Sequence, residues 1–399
     1  MNLDARTLLG ITALAALAAC STDTPLQPSA AARTDRSSGL ATASAARVCP
    51  SAVVGTARCH SWVIVDASGA PLATSGPTGY NPADLRAAYS IPSSTTTATI
   101  AIVDAYDDPN AENDLNVYRS QFGIPACTTA NGCFRKSNQS GGTSYPRANG
   151  GWAQEISLDL DMASAICPSC HILLVEASSN SFANLSAAVD YAASVPGVVA
   201  ISNSYGGSEY SGEVNDQAHY NHPGIAVTVS SGDNGYGVEF PAASQWVTAV
   251  GGTSLKRAST ARGWTETVWS GAGSGCSAYI TKPSWQADAG CSRRTVADVA
   301  AVADPNTGVS VYDSYAYRGQ SGWMVFGGTS VASPIIASVY AVAGNTGSIN
   351  YGSYPYSHTS SLFDVTSGSN GSCGNYLCTG SVGFDGPTGN GTPNGVTAF

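Results

Sequence analysis

Ala98-Thr-Ile-Ala-Ile-Val103, followed by Asp104-Ala-Tyr-Asp-Asp108-Pro109, is the stretch on which the fold turns. Its first six residues are apolar or threonine without alternation, the mark of a strand covered on both faces. Asp108-Pro109 then places a proline where a first helical turn has no use for an N–H, and predicts a helix running towards Gln121. Outward from this unit the pattern repeats. Residues 152–166 read as helix, 171–175 as strand and 182–193 as helix, and 198–202, 225–229 and 247–250 read as buried strands. Such alternation predicts an α/β protein, a parallel sheet flanked by helices on both faces. No internal repeat or heptad is visible. From about Tyr351 the chain turns rich in Gly, Asn, Ser and Tyr and reads as loop.

Upstream, an apolar run over residues 8–19 is too short for a bilayer span and resembles a signal-peptide core. It ends in Leu17-Ala-Ala-Cys20, which resembles a bacterial lipoprotein cleavage box. That resemblance makes residues 1–20 a signal peptide and Cys20 the carrier of a lipid, the chain's one membrane attachment. An ordinary secretory signal is the alternative. Residues 21 to about 47 lack apolar periodicity and read as tether. The division that follows is 1–20 signal, 21–78 tether and short N-terminal segment, and 79–399 one catalytic-type domain.

The 399 residues carry 17 Lys plus Arg against 27 Asp plus Glu, a formal charge of -10. Nucleic-acid binders need a basic stripe, and this chain has lysine only at 136, 256 and 282, so that class is excluded. Eleven cysteines are an odd number. Setting Cys20 aside leaves ten in five local couples: 49/59, 127/133, 167/170, 276/291 and 373/378. Spacing suggests these pairs without proving them, and disulfides fit an exported protein.

Three segments carry candidate chemistry. Gly327-Gly-Thr-Ser330-Val-Ala-Ser-Pro334 precedes an apolar stretch, so Ser330 stands on a glycine turn at a helix start, beside free backbone N–H groups. An N-capping serine would look the same. Trp152-Ala-Gln-Glu155-Ile-Ser-Leu-Asp159 puts two carboxylates one helical turn apart, where each makes the other harder to ionise. A solvated acidic face is the plainer reading of that pair. Ser230-Ser-Gly-Asp233-Asn-Gly lies at a strand's carboxyl end, where open parallel sheets bind ligands, although it also reads as a turn.

Together these motifs resemble the sedolisin family, the serine-carboxyl peptidases. The match runs from Gly79-Tyr-Asn-Pro-Ala-Asp-Leu-Arg86 to the C-terminus and includes SNSYGG at 202–207 and VTAVGGT at 247–253. The resemblance implies a subtilisin-like sheet. Its nucleophile is Ser330, its Glu/Asp pair is Glu155 and Asp159, and its oxyanion aspartate is Asp233. The chemistry also stands alone. Glu155 takes the serine proton and returns it to the leaving amine, Asp159 orients Glu155, and Asp233 stabilises an oxyanion only while protonated. Carboxyl chemistry favours acidic pH, since a carboxylate stays competent where an imidazole is protonated. Asp104 is expected to support this network rather than lead it, with a loop cap as the alternative. Asp161 is expected to be structural.

The resemblance further implies one calcium ion held by Asp364 and Asp385 with the carbonyls of Val365, Ser381 and Gly383, hard ligands that suit Ca2+. Partners are expected to be protein or peptide substrates, with the chain a monomer. Fewer than sixty residues separate Cys20 from Gly79, too few for the long prosegment such enzymes carry. Either none is needed, or a short 49–59 segment substitutes. Two competitors remain. One is a catalytically dead surface-binding lipoprotein; the other is a histidine-based subtilisin-like peptidase using His171 or His219.

Overall fold

The computed structural model describes residues 44–399. The signal-like stretch, Cys20 and most of the tether lie outside the described residues.

An eight-stranded sheet forms the centre. Its order is Trp264–Val268, Thr248–Arg257, Ala226–Ser230, Val198–Asn203, Thr99–Ala105, His171–Ala177 and Phe134–Asn138, with Val299–Val302 paired beside Thr248–Arg257. Every pair is parallel except Trp264–Val268, which is antiparallel. Ile100, Ala101, Ile102 and Val103 are fully buried, as their unbroken apolar run requires. Helices flank the sheet on both faces, the architecture the alternation predicts.

The second helix, Ala111–Gln121, starts two residues after Pro109. Asp108 accepts the Asn110 N–H at 2.9 Å, so its side chain closes a turn ahead of the helix and spends the Asp-Pro signal there. Helix Gly150–Ile166 is capped by the Asn149 side chain, which accepts from the Gly151 and Trp152 N–H groups. From Gly151 to Ile166 every residue is buried. A helix buried all round has no solvated face, which removes the plain reading of Glu155 and Asp159. It packs on helix Thr329–Ala343 and strand Val309–Tyr317.

Two smaller sheets accompany the large one. Four strands run in the order Ser44–Arg47, Trp62–Val65, Gln320–Gly327 and Val309–Tyr317; three more run Glu239–Phe240, Tyr205–Ser208 and Arg58–Cys59. Ser44–Arg47, inside the stretch read as tether, pairs antiparallel with Trp62–Val65. The hairpin Val309–Tyr317/Gln320–Gly327 closes through Arg318-Gly319, both at positive φ, the two-residue turn that suits twisted strands. All five local cysteine couples are disulfides. Beyond Tyr351 the chain is mostly turns, with one two-residue strand pair, Leu362–Phe363 and Thr392–Pro393.

Candidate active site

Strand Gln320–Gly327 delivers the chain to Gly328, whose φ of 95° only glycine adopts without strain, and helix Thr329–Ala343 begins at once. Ser330 is therefore in the first helical turn. Pro334 has no N–H, so the Ser330 carbonyl lacks its helical donor and accepts the Ser204 hydroxyl at 3.3 Å instead. The Ser330 hydroxyl donates to the Ser204 carbonyl at 3.2 Å, and the Ser330 N–H donates to the His60 carbonyl at 3.2 Å.

Glu155 and Asp159 reach this place from the buried helix. None of their four carboxyl oxygens makes a direct hydrogen bond. Burial first, and then Asp159, push the Glu155 carboxyl well above its ordinary range, while the neighbouring Ser330 and Ser61 hydroxyls pull it down. Burial likewise raises Asp159, opposed by the Ser204 hydroxyl. Asp104 ends strand Thr99–Ala105 in register with Glu176 and is the third member of the cluster. Burial, then Asp159, Glu155 and Glu176, raise it, and neither of its oxygens has a partner. Carboxyls this close and dry hold protons in common. Asp161 points elsewhere and accepts the Tyr312 N–H at 3.0 Å.

Asp233 follows strand Ala226–Ser230. One of its oxygens accepts the Thr329 N–H and the Thr329 hydroxyl, both at 2.8 Å; the other, Oδ2, is buried without a partner. Burial raises its pKa against the pull of His60, Thr329 and Arg47. A Cβ on Gly328 would sit 2.8 Å from Asp233 Oδ2 and 1.9 Å from the His60 carbonyl oxygen, so those two oxygens face one small space.

Residues 57–61, of which the sequence marked only the 49–59 stretch as a substitute prosegment, run through this cleft. His60 is fully buried, its Nδ1 2.7 Å from Ser230 Oγ and its Nε2 2.9 Å from Glu239 Oε2. Burial alone would raise Glu239, but His60, Arg58 and Asn234 outweigh it and hold the carboxyl at about 2. With both ring nitrogens engaged, His60 presents only its backbone to Ser330. His171 pairs with Thr99 at the opposite end of the strands from Asp104, and His219 binds Asp190 at the surface. The histidine-based competitor therefore finds no base among the described residues. A lone histidine next to a disulfide gave no sequence signal for the cleft.

In the C-terminal loops, Asp364 accepts the Gly383 N–H at 2.9 Å and Asp385 accepts the Ser381 N–H at 3.0 Å. Burial first, with Asp364 adding to it, pushes Asp385 up to about 7. The two acids are thus drawn together by the loop that follows Ser381, with no ion pair to either among the described residues. Carboxylates are the hard oxygen donors that calcium takes, while Asp385 Oδ1 also accepts the Thr388 N–H at 2.9 Å and the Thr388 hydroxyl at 2.8 Å. Elsewhere, Asp108, Asp114 and Asp313 bring ligand oxygens within 4.8 Å of one another, a second place able to hold an ion.

Residues 85–348 match the Subtilase family. Kumamolisin of Bacillus sp. (strain MN-32) is 32% identical over 67% of this chain and 52% of its own length. Sedolisin of Pseudomonas sp. (strain 101) is 35% identical over 42% of this chain and 33% of its own. The chain thus spans about half or less of these relatives. The solved structure of Pseudomonas sedolisin, a serine-carboxyl proteinase complexed with pseudo-iodotyrostatin, superposes with a TM-score of 0.67 at 28% identity, covering 80% of this chain and 96% of that one. Motif order, carboxylate cluster and these likenesses agree: the chain belongs to the subtilase family, in its sedolisin branch.

Proposed function

We propose that the protein is a serine-carboxyl endopeptidase that hydrolyses protein substrates in acid. The observation that carries this reading is the burial of Glu155 and Asp159 without hydrogen-bond partners, beside the Ser330 and Ser204 hydroxyls. An orphaned buried carboxyl is costly and is retained where it has work to do.

In the mechanism, Ser330 Oγ attacks the substrate carbonyl as its proton passes to Glu155. Asp159 steadies Glu155, and Asp104 keeps the cluster at a single negative charge. Asp233, protonated, donates from Oδ2 to the oxyanion together with the Ser330 N–H. Glu155 then protonates the leaving amine, and water repeats the sequence on the acyl-enzyme. The rate falls as acid removes the one negative charge the Glu155, Asp159 and Asp104 cluster must carry, and falls again where Asp233 ionises. In kinetics on a denatured protein, Ser330→Ala removes hydrolysis and Glu155→Gln lowers kcat by about 10²–10⁴-fold. Unchanged kcat in either variant contradicts the assignment.

Asp364 and Asp385, with the carbonyls of Val365, Ser381 and Gly383, are the residues that would hold Ca2+, which would offset the repulsion of the two acids and tie the loops together. Export fits the five disulfides. Among the described residues no helix is long and apolar enough to cross a membrane. Anchoring is assigned to a lipid on Cys20: labelled palmitate should enter the wild-type chain and not Cys20→Ala, and equal labelling of both would refute it.

A further inference from the structure

Helix Gly150–Ile166 has a second polar face. Gln154, Ser157 and Asp161 fall at i, i+3 and i+7, so they share a side that Glu155 and Asp159 do not. Three more acids meet that side. Asp108 lies in the turn after strand Thr99–Ala105, Asp114 in the first turn of helix Ala111–Gln121, and Asp313 in strand Val309–Tyr317. All three are fully buried, and they bring carboxyl oxygens within 4.8 Å of one another. With Ca2+–O distances of about 2.3–2.6 Å, donors on opposite sides of one ion stand about 5 Å apart. The spread of these oxygens fits a single ion.

Each carboxyl is oriented from behind. Asp108 Oδ1 accepts the Asn110 N–H at 2.9 Å, while the Ser157 hydroxyl stands 3.5 Å from Oδ2. Asp114 accepts the Ser314 N–H at 2.6 Å, the Ser314 hydroxyl at 2.8 Å and Asn113 Nδ2 at 2.9 Å. Asp313 Oδ1 accepts the Tyr315 N–H at 3.0 Å, and its Oδ2 is buried with no partner. Donors placed behind carboxylates in this way fix the ligands of a metal. Protein cations do not relieve the repulsion, since no ion pair reaches any of the three among the described residues. Lys136 is spent on Asp107, Glu176 and the Asp108 carbonyl, and Arg119 on Ser164 and two carbonyls. Burial first, and then Asp108, push Asp313 up to about 8. Gln154 adds a neutral donor. Its side chain lies fully buried against Asp313, its Nε2 donates to Met324 Sδ at 3.5 Å, and its carbonyl oxygen has no partner. A carboxylate cannot satisfy an amide oxygen, because both only accept; a cation satisfies both.

We propose that Asp108, Asp114, Asp313 and the Gln154 carbonyl oxygen form a Ca2+ site of their own, separate from Asp364 and Asp385. Hard oxygens, three of them on carboxylates, suit this ion, and second carboxylate oxygens or water complete the roughly six to eight ligands it takes. Mg2+ demands a near-ideal octahedron and gives up its water reluctantly, which a fully buried set of ligands disfavours. The ion joins four elements at once. They are the turn four residues after Asp104, helix Ala111–Gln121, strand Val309–Tyr317, and helix Gly150–Ile166 at the residue before Glu155. It therefore braces the strand and the helix that bring the Asp104, Glu155 and Asp159 carboxyls together. The site stands whether or not Ser330 is a nucleophile.

The test uses the purified full chain with Asp385→Asn, which sets the C-terminal loops aside. The chain is stripped with a chelator, freed of it by gel filtration and dialysed against CaCl2 at neutral pH; bound calcium per chain and the Tm are read. Asp385→Asn should hold one ion and gain Tm on addition of Ca2+. Adding Asp313→Asn should abolish both responses. That change removes a buried charge at constant size, so the metal-free Tm should not fall. Gln154→Met, which keeps the length of the side chain and lacks the oxygen, should weaken Ca2+ binding by more than about tenfold in the same background. It decides the matter if the Asp313→Asn chain does not fold. An Asp385→Asn chain that binds no calcium and whose Tm ignores it leaves the acids to protons alone and overturns the inference. So does calcium held with unchanged affinity after Asp313→Asn or Gln154→Met.

Discussion

At Asp233 the account asks most of one side chain. Its Oδ1 is tied to Thr329, which leaves Oδ2 as the only oxygen able to serve an oxyanion, and a carboxylate there would repel the charge it should stabilise. Burial raises its pKa, so the proton survives to higher pH than on an ordinary aspartate. Asp233→Ala should lower kcat by about 10²–10³-fold at the optimum. Asp233→Asn keeps a donor with no proton to lose, so its pH–rate curve should extend further towards neutrality than wild type. An Asn variant with an unmoved alkaline limb would show that Asp233 acts otherwise. The sequence identified this residue through its place in SGDNG. It could not show Thr329 or the His60 carbonyl, because both contacts join residues about a hundred or more positions apart.

Elements differ in how plainly the sequence announced them. Five strands of the large sheet were legible because burial on both faces leaves an unbroken apolar run, as in Ile100–Val103, whereas Phe134–Asn138, Trp264–Val268 and Val299–Val302 were not read. Helix Gly150–Ile166 was legible as a helix, while its burial was not, since two acids and Gln154 in sequence look like a wet face. Ser44–Arg47 and Arg58–Cys59 were not legible: short edge strands owe their form to the strands they pair with, not to their own pattern. The loops around Asp364 and Asp385 are an element whose stability should depend on metal. Chelation should lower the Tm and addition of Ca2+ should restore it, with Asp385→Asn responding less to both. A Tm indifferent to chelator would remove calcium from the account.

For the molecule as a whole, the buried acids set the pH at which it is comfortable. Asp104, Glu155, Asp159 and Asp161 all have folded pKa values raised well above the ordinary range, chiefly by burial. The folded state therefore binds more protons than the unfolded one above about pH 4, and stability falls as pH rises towards their folded pKa values. Glu239, held at about 2, works the other way and loses its contribution only below about pH 4. Tm measured by calorimetry should be higher near pH 4.5 than at pH 8; the reverse order would mean these acids are ionised and paired in a way the structure does not contain. The most direct check on the central claim, that carboxyls and not an imidazole activate Ser330, is a pH–rate profile for hydrolysis of a denatured protein, run on wild type and Glu155→Gln. The account predicts a maximum well below neutrality in wild type and near-complete loss in the variant. A maximum in mildly alkaline buffer, or a Glu155→Gln enzyme that keeps its rate, would contradict it.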